Sequence, residues 1–199
     1  MAPRIIAGEA GGRRLVVARE GTRPTTERVR EAVFSSLGDE VVEAVVLDLW
    51  AGSGSLGLEA RSRGAARVVL VERDRKALAA LHRNVEAVGL GGVDVRGDDV
   101  GEFCRRPRGG PFDLVFCDPP FALPSREVWR ALDDLRRAGA LAGGALIVLE
   151  RDRHRDEPPP AWLAVQRERA YGDAVVRTLA VTAAAPPAGE AREGLGREE

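Results

Sequence analysis

Two groups of residues have types and spacings suited to chemistry. The first lies in "VLDLWAGSGSLGLEA", where Gly52, Gly54 and Gly57 follow the G-x-G-x-x-G spacing directly after an apolar run, flanked by Asp48 and, twenty residues beyond Gly52, by Glu72. Glycines in that context permit a tight strand-to-helix turn and let a ligand approach the backbone closely. A pyrophosphate would meet unwelcome negative charge at Asp48, whereas a cation would gain a partner there. Glu72 is placed to accept hydrogen bonds from ribose hydroxyls. A ribose-bearing cation satisfies both acids.

The second group is Asp118-Pro119-Pro120-Phe121, which ends the apolar run "LVFC". Each proline lacks an amide donor, so the strand stops at Asp118 and a rigid turn follows. A carboxylate and a fixed proline carbonyl can accept both hydrogens of an exocyclic amine while Phe121 stacks on the attached ring. Ligands of open α/β sheets bind beyond the carboxyl ends of the strands, so Asp118 is expected on the same rim as Asp48 and Gly52. An amine oriented there can attack a sulfonium methyl in line, and S-adenosylmethionine carries the ribose, the ammonium and the sulfonium that the two groups call for. Placing the reactants near attack distance supplies about 7–11 kcal/mol of the barrier. Neither a metal nor a covalent intermediate is required.

The elements that must position these groups read as alternating strands and helices. "AVVLDLW", "RVVLVE", "VDVRG", "FDLVFCD" and "GALIVLE" are strands, while "SLGLEARSRG", "RKALAALHRNVEAVGL" and residues 125 to 138 are helices. Strands that are nearly continuous in apolar residues belong to a parallel sheet covered on both faces. "LAVQRERAY" and "AVVRTLAVT", joined through "GD", read as a hairpin that closes the sheet with an antiparallel edge. "TTERVREAVFSSLG" is a helix capped by Thr25 or Thr26. "RIIAGEAGGRRLVV" is a hairpin of two short strands preceding it. The expected division is a hairpin extension over residues 1–24, an α/β domain over 25–183 and a disordered tail over 184–199, which has little to bury.

The 199 residues carry a formal net charge of -1, which gives no overall attraction to nucleic acid. Residues 1 to 30 nevertheless hold Arg4, Arg13, Arg14, Arg19, Arg23, Arg28 and Arg30 against Glu9, Glu20 and Glu27. A basic arm on a neutral body can contact phosphate, with Arg13, Arg14, Arg23, Arg28 and Arg30 as the candidates. Cys104 and Cys117 have neither metal-ligand nor redox spacing and read as reduced and structural. No apolar run approaches the roughly 20 residues that span a bilayer, and the N-terminus lacks a signal core, so a cytoplasmic protein is expected. His82 and His154 read as solvated, and Tyr171 either caps the sheet or lines a base pocket.

"DPPF" resembles the [DN]-P-P-[FYW] motif of amino-group methyltransferases, and "DLWAGSGSLGLEA" resembles their S-adenosylmethionine loop. Together with "RIIAGEAGGRRL", "RPTTERVREAVFSSL", "LEARSRGA" and "YGDAVVRTL", they make the chain similar, from Arg4 to Thr182, to the bacterial 16S ribosomal RNA guanine-N2 methyltransferase family. The resemblance implies a class I, Rossmann-like methyltransferase with a mostly parallel seven-stranded sheet, its last strand antiparallel, and an RNA-facing N-terminal extension. It implies S-adenosylmethionine held by Asp48, Ala51, Gly52, Ser53, Gly54, Glu72 and Arg73, with Asp98 at the adenine. Asp118, Pro119, Pro120 and Phe121 take the catalytic role in a monomer acting on 16S ribosomal RNA, free or in an assembling small subunit. Trp50 stands where the family usually carries phenylalanine or tyrosine, and "DDVGEFC" departs from the pattern around Asp98.

Two other readings use part of this set. A DNA adenine methyltransferase fits "DPPF" but generally needs more sequence for target recognition. A nicotinamide-dependent oxidoreductase fits the glycines and leaves Asp48 and "DPPF" without a purpose.

Overall fold

The computed structural model describes residues 3–17, 27–154 and 157–182. Apolar side chains of the central strands alternate between two cores, as the period of a strand requires. In β1 (Val45–Leu49), β2 (Arg67–Val71) and β4 (Phe112–Cys117), Val46, Val68, Leu70, Leu114 and Phe116 enter one core. Their neighbours Leu47, Leu49, Val69, Val71, Val115 and Cys117 enter the other. The first core is closed by α1 (Glu27–Leu37), α2 (Ser55–Ser62) and α3 (Arg75–Val88), the second by α4 (Val100–Arg105) and α5 (Ser125–Arg137). With β3 (Val93–Arg96), β5 (Leu141–Asp152), β6 (Leu163–Tyr171) and β7 (Ala174–Val181), the sheet runs β3-β2-β1-β4-β5-β7-β6. The pairs from β3 through β5 are parallel, and β7 is antiparallel to both of its neighbours. The expected α/β class, seven strands and antiparallel last strand are all present.

Three details complete or correct the sequence reading. The expected antiparallel edge is present as the β6–β7 hairpin, in which β7 buries Val175, Val176 and Leu179 and lies inside, whereas β6 is exposed from Ala164 to Ala170 and forms the edge. A register shift between Val165 and Arg167, together with the charges of Arg167, Glu168 and Arg169, makes that edge a poor template for further pairing. Second, "DDVGEFC" folds as α4, because Asp99 caps it by accepting the amides of Gly101 and Glu102 at 2.9 and 3.2 Å.

Third, residues 3–17 form a turn with a single antiparallel bridge, Arg4 to Arg14, in place of two strands. Backbone bonds cross it, from the Ile5 amide to the Arg13 carbonyl at 2.9 Å, from Gly12 to Ile5 at 2.8 Å and from Leu15 to Pro3 at 2.7 Å, and the rest of the fold holds it in place. Ile5, Ala10 and Leu15 are buried in the first core, the amides of Ile6 and Ala7 are accepted by the buried Glu59 carboxylate, and the amide of Ala10 by Ser62 Oγ. A Cβ at Gly8, whose φ is +82°, would lie 1.8 Å from the Ser62 carbonyl oxygen, so the turn packs backbone to backbone on α2. The proposed cap at Thr25 or Thr26 and the tail 184–199 lie outside the described residues.

Candidate active site

The loop from β1 to α2 turns through three residues of positive φ, Trp50 at 59°, Gly52 at 57° and Gly54 at 80°. For Trp50 the left-handed conformation costs about 1–2 kcal/mol, a local strain that the surrounding packing must hold. The three glycines are required for different reasons. A Cβ at Gly54 would come within 2.5 Å of Leu81 Cδ1 and one at Gly57 within 2.3 Å of Leu70 Cδ2, so both serve close packing. At Gly52 it would meet only the Trp50 carbonyl oxygen at 3.9 Å. The space beside Gly52 is open.

Two carboxylates fix the ends of this loop. Asp48 Oδ2 accepts the amide of Gly57 at 2.9 Å, taking from within β1 the place of a side-chain cap on α2, whose own N-cap is Gly54. Glu72 Oε2 accepts the amide of Gly52 at 2.9 Å, while its Oε1 accepts those of Arg73 and Asp74 at 2.8 and 2.7 Å. Asp48 is 1% exposed. Its burial pushes its pKa up to about 8; the Gly57 amide opposes the shift, and the nearby charges of Asp118 and Glu72 add to it. A cation entering this site would restore the charge that burial disfavours.

Parallel pairing of β1 with β4 sets Asp48 beside Phe116 and Leu49 beside Cys117, so Asp118 leaves β4 at the level where Trp50 leaves β1. The two predicted groups share one rim. Pro119 is buried and Asp118 and Phe121 are half-buried. The Pro120 carbonyl accepts the amide of Leu123 at 2.8 Å, which reverses the chain toward α5. Arg151, buried on β5, donates to the Leu123 carbonyl at 2.6 Å and to Ser125 Oγ at 3.3 Å, tying the far end of the turn to the sheet.

The remaining predicted cofactor residues lie at the carboxyl ends of β1, β2 and β3, and the predicted arginines lie apart from them. Ala51 and Ser53 lie in the loop, and Ala51 donates its amide to the Val71 carbonyl at 3.0 Å. Asp98 is exposed beyond β3, and next to it Asp99 caps α4 and pairs with Arg73 at 2.7 Å. Arg14 and Arg28 are exposed, and Arg13 is exposed while donating to the Ala87 carbonyl. Arg23 lies outside the described residues. Arg30 requires a correction, because it is 0% exposed and cannot present its guanidinium to a phosphate. It sits on the buried face of α1 beside Val29, Val33, Phe34 and Leu37, and burial lowers its pKa against the opposing charges of Glu59 and Glu27.

His82 and His154 are exposed, and Tyr171 packs half-buried against the first core. Both cysteines are free and buried, and burial pushes both thiols up from their ordinary value. Among the described residues, no group of His, Cys, Asp and Glu side chains could hold a metal ion, and no helix is long and apolar enough to cross a membrane.

Sequence reasoning passed over Asn84 and Arg151. Asn84 carried a signal, since it occupies the buried face of α3 at the spacing of Leu81 and Val88, where an apolar residue is the rule. Arg151 follows an apolar strand and reads as its solvated end. Its burial follows from the turn that packs over it.

A solved structure of an Escherichia coli protein superposes with a TM-score of 0.82 at 36% identity, covering 92% of this chain and 100% of that one. A chain crystallised with S-adenosylhomocysteine shares the fold alone, at 17% identity and a TM-score of 0.60 over 77% of this chain and 48% of that one. The ribosomal RNA small subunit methyltransferase D of Escherichia coli K12 is 39% identical over 176 residues, 87% of either chain. The protein of the same name from Haemophilus influenzae is 35% identical over 173 residues, 85% of this chain and 89% of that one. The family model described as Conserved hypothetical protein 95 matches residues 3–180, and the chain belongs to that family.

Proposed function

We propose that this protein transfers a methyl group from S-adenosylmethionine to the exocyclic N2 amine of a guanine in 16S ribosomal RNA. The observation that carries the reading is the β1–β4 register, which sets the loop gripped by Asp48 and Glu72 and the Asp118-Pro119-Pro120-Phe121 turn on one rim. The open space above Gly52 and the two acids suit a cofactor with a ribose and a cationic end. Bound S-adenosylmethionine supplies an electrophilic methyl, whose bond to sulfur breaks as its bond to nitrogen forms.

The chain's own residues do the rest. Glu72 accepts the ribose hydroxyls and Asp48 faces the cationic end. Asp118 and the Pro119 carbonyl accept the two amine hydrogens, fixing the nitrogen with its lone pair toward the methyl, and Asp118 takes the proton released after transfer. Phe121 stacks on the base and offsets part of the cost of taking it from its stack. The names of the relatives support ribosomal RNA of the small subunit as substrate. The guanine amine rests on the sequence resemblance, including "RPTTERVRE" and the late "YGD".

The test is transfer of labelled methyl to 16S ribosomal RNA from a strain lacking the gene, offered free and in small-subunit particles, followed by digestion and mass spectrometry. N2-methylguanosine at one site is the expected product. Label in adenosine, or none in ribosomal RNA, would refute the assignment.

A further inference from the structure

Two buried polar side chains from different helices touch the proposed cofactor loop, and both also hold the N-terminal turn. Asn84 of α3 is 1% exposed. Its Oδ1 accepts the amide of Val16 at 2.7 Å, and its Nδ2 donates to the Val16 carbonyl at 2.9 Å and to the Ser53 carbonyl at 2.8 Å. Both amide hydrogens and the carbonyl oxygen of the carboxamide are thus engaged. Arg30 of α1, fully buried, donates from one terminal nitrogen to the Arg4 carbonyl at 2.7 Å and from the other to the Ser55 carbonyl at 3.2 Å. Ser53 and Ser55 flank Gly54, the left-handed residue that opens α2.

We infer that Asn84 and Arg30 are positioning residues for the cofactor loop, and that the N-terminal turn, residues 3–17, is through them a structural part of the cofactor site. The inference rests on the reading of this loop as the S-adenosylmethionine cradle. It replaces the simpler picture of an RNA-binding appendage independent of the cofactor.

Docking of the turn alone does not account for these contacts. Glu59 and Ser62 of α2 already accept the amides of Ile6, Ala7 and Ala10, and these side-chain bonds seat the turn on the body of α2. Asn84 and Arg30 do something those two do not: each spans from the turn to one side of Gly54. Carbonyls on both sides of a glycine free to adopt many conformations are held, so the loop is preorganised before a ligand arrives. Loss of either span lets the loop sample conformations from which the cofactor must recover it.

The contrast between spanning and docking residues supplies the experiment. Full-length wild type, Asn84→Asp, Arg30→Lys and Ser62→Ala are titrated calorimetrically with S-adenosylhomocysteine, well below each variant's thermal midpoint. Aspartate keeps the acceptor for Val16 and loses both donors, while one lysine ammonium cannot reach two carbonyls placed for a guanidinium. Each should weaken S-adenosylhomocysteine by about tenfold, the loss expected of a single buried hydrogen bond, and raise KM for S-adenosylmethionine with kcat at saturation retained. Ser62→Ala should lower the thermal midpoint and leave the affinity unchanged.

Should one spanning variant fail to fold, the other decides. A folded spanning variant with wild-type affinity, or equal weakening by Ser62→Ala, overturns the inference. Failure of the wild type to bind S-adenosylhomocysteine would instead overturn the cofactor reading beneath it.

Discussion

Asp48 Oδ2 lies 2.9 Å from the amide nitrogen of Gly57, so a carboxylate with almost no access to solvent ties β1 to the first turn of α2. Its neighbours on the rim, Glu72 and Asp118, are acids that disfavour its charge further. This fixes how the site should respond to pH. With its pKa raised from 3.8 to about 8, Asp48 holds a proton in the cofactor-free protein through neutral pH, and its contribution to stability is lost as pH rises toward and through 8. A cationic ligand favours the ionised form, so binding releases the proton. Calorimetry at pH 7 in buffers of different ionisation enthalpy should show about one proton released per S-adenosylmethionine bound, with affinity rising between pH 6 and 8. In Asp48→Asn, which keeps the acceptor for Gly57, proton release should vanish; unchanged release would assign the proton to another group.

The glycines should separate by function. Gly57→Ala drives a Cβ to 2.3 Å from Leu70 Cδ2 and should destabilise the fold by about 1–3 kcal/mol, visible as a lowered thermal midpoint. Gly52→Ala meets no side chain and carries only the strain of its φ of 57°, about 1 kcal/mol, yet it enters the open space where the proposed cofactor would lie. Its deficit should appear mainly as weaker binding of S-adenosylhomocysteine. Equal midpoints for the two variants would contradict the packing role of Gly57.

Arg151 should affect transfer more than cofactor binding. Its bonds to the Leu123 carbonyl and Ser125 Oγ hold the turn that carries Phe121, on the side away from the glycine loop. Arg151→Lys, which retains the charge but not the forked geometry, should lower kcat about tenfold while leaving S-adenosylhomocysteine affinity as it was. Parallel loss of both would mean that Arg151 supports the fold as a whole.

The two outcomes for arginine show what was legible in the sequence and what was not. The succession of strands along the chain, the glycine loop and the strand stop at Asp118 follow from local patterns of apolar period, glycine spacing and proline chemistry, and the structure reproduces them. Arg30 looked like an exposed phosphate contact because charge is read as exposure. Its burial depends on the Arg4 and Ser55 carbonyls arriving from distant parts of the chain. Asn84 and the seating of residues 3–17 have the same origin, since that turn, bonded across itself from Ile5 to Arg13 and from Leu15 to Pro3, also takes hydrogen bonds from α2 and α3. That β7 lies inside β6 follows from β7 being the more apolar of the two adjacent strands, beside the polar run Gln166-Arg167-Glu168-Arg169 of β6.

RNA affinity should depend on the arginines that remain at the surface. Neutralising Arg14 and Arg28 together should weaken binding to a 16S ribosomal RNA fragment and reduce the slope of log affinity against log salt by about 1–2, through fewer released counterions. Filter binding across a salt series measures this. An unchanged slope would mean that the basic excess of the N-terminal segment does not contact phosphate.

The central claim is that Asp118 orients the amine that receives the methyl. Single-turnover transfer of labelled methyl to 16S ribosomal RNA, at saturating S-adenosylmethionine, tests it with binding and product release removed from the rate. Asp118→Ala should bind S-adenosylhomocysteine nearly as wild type does and transfer methyl about 10²-fold more slowly or worse. Transfer by Asp118→Ala at close to the wild-type rate would contradict the account.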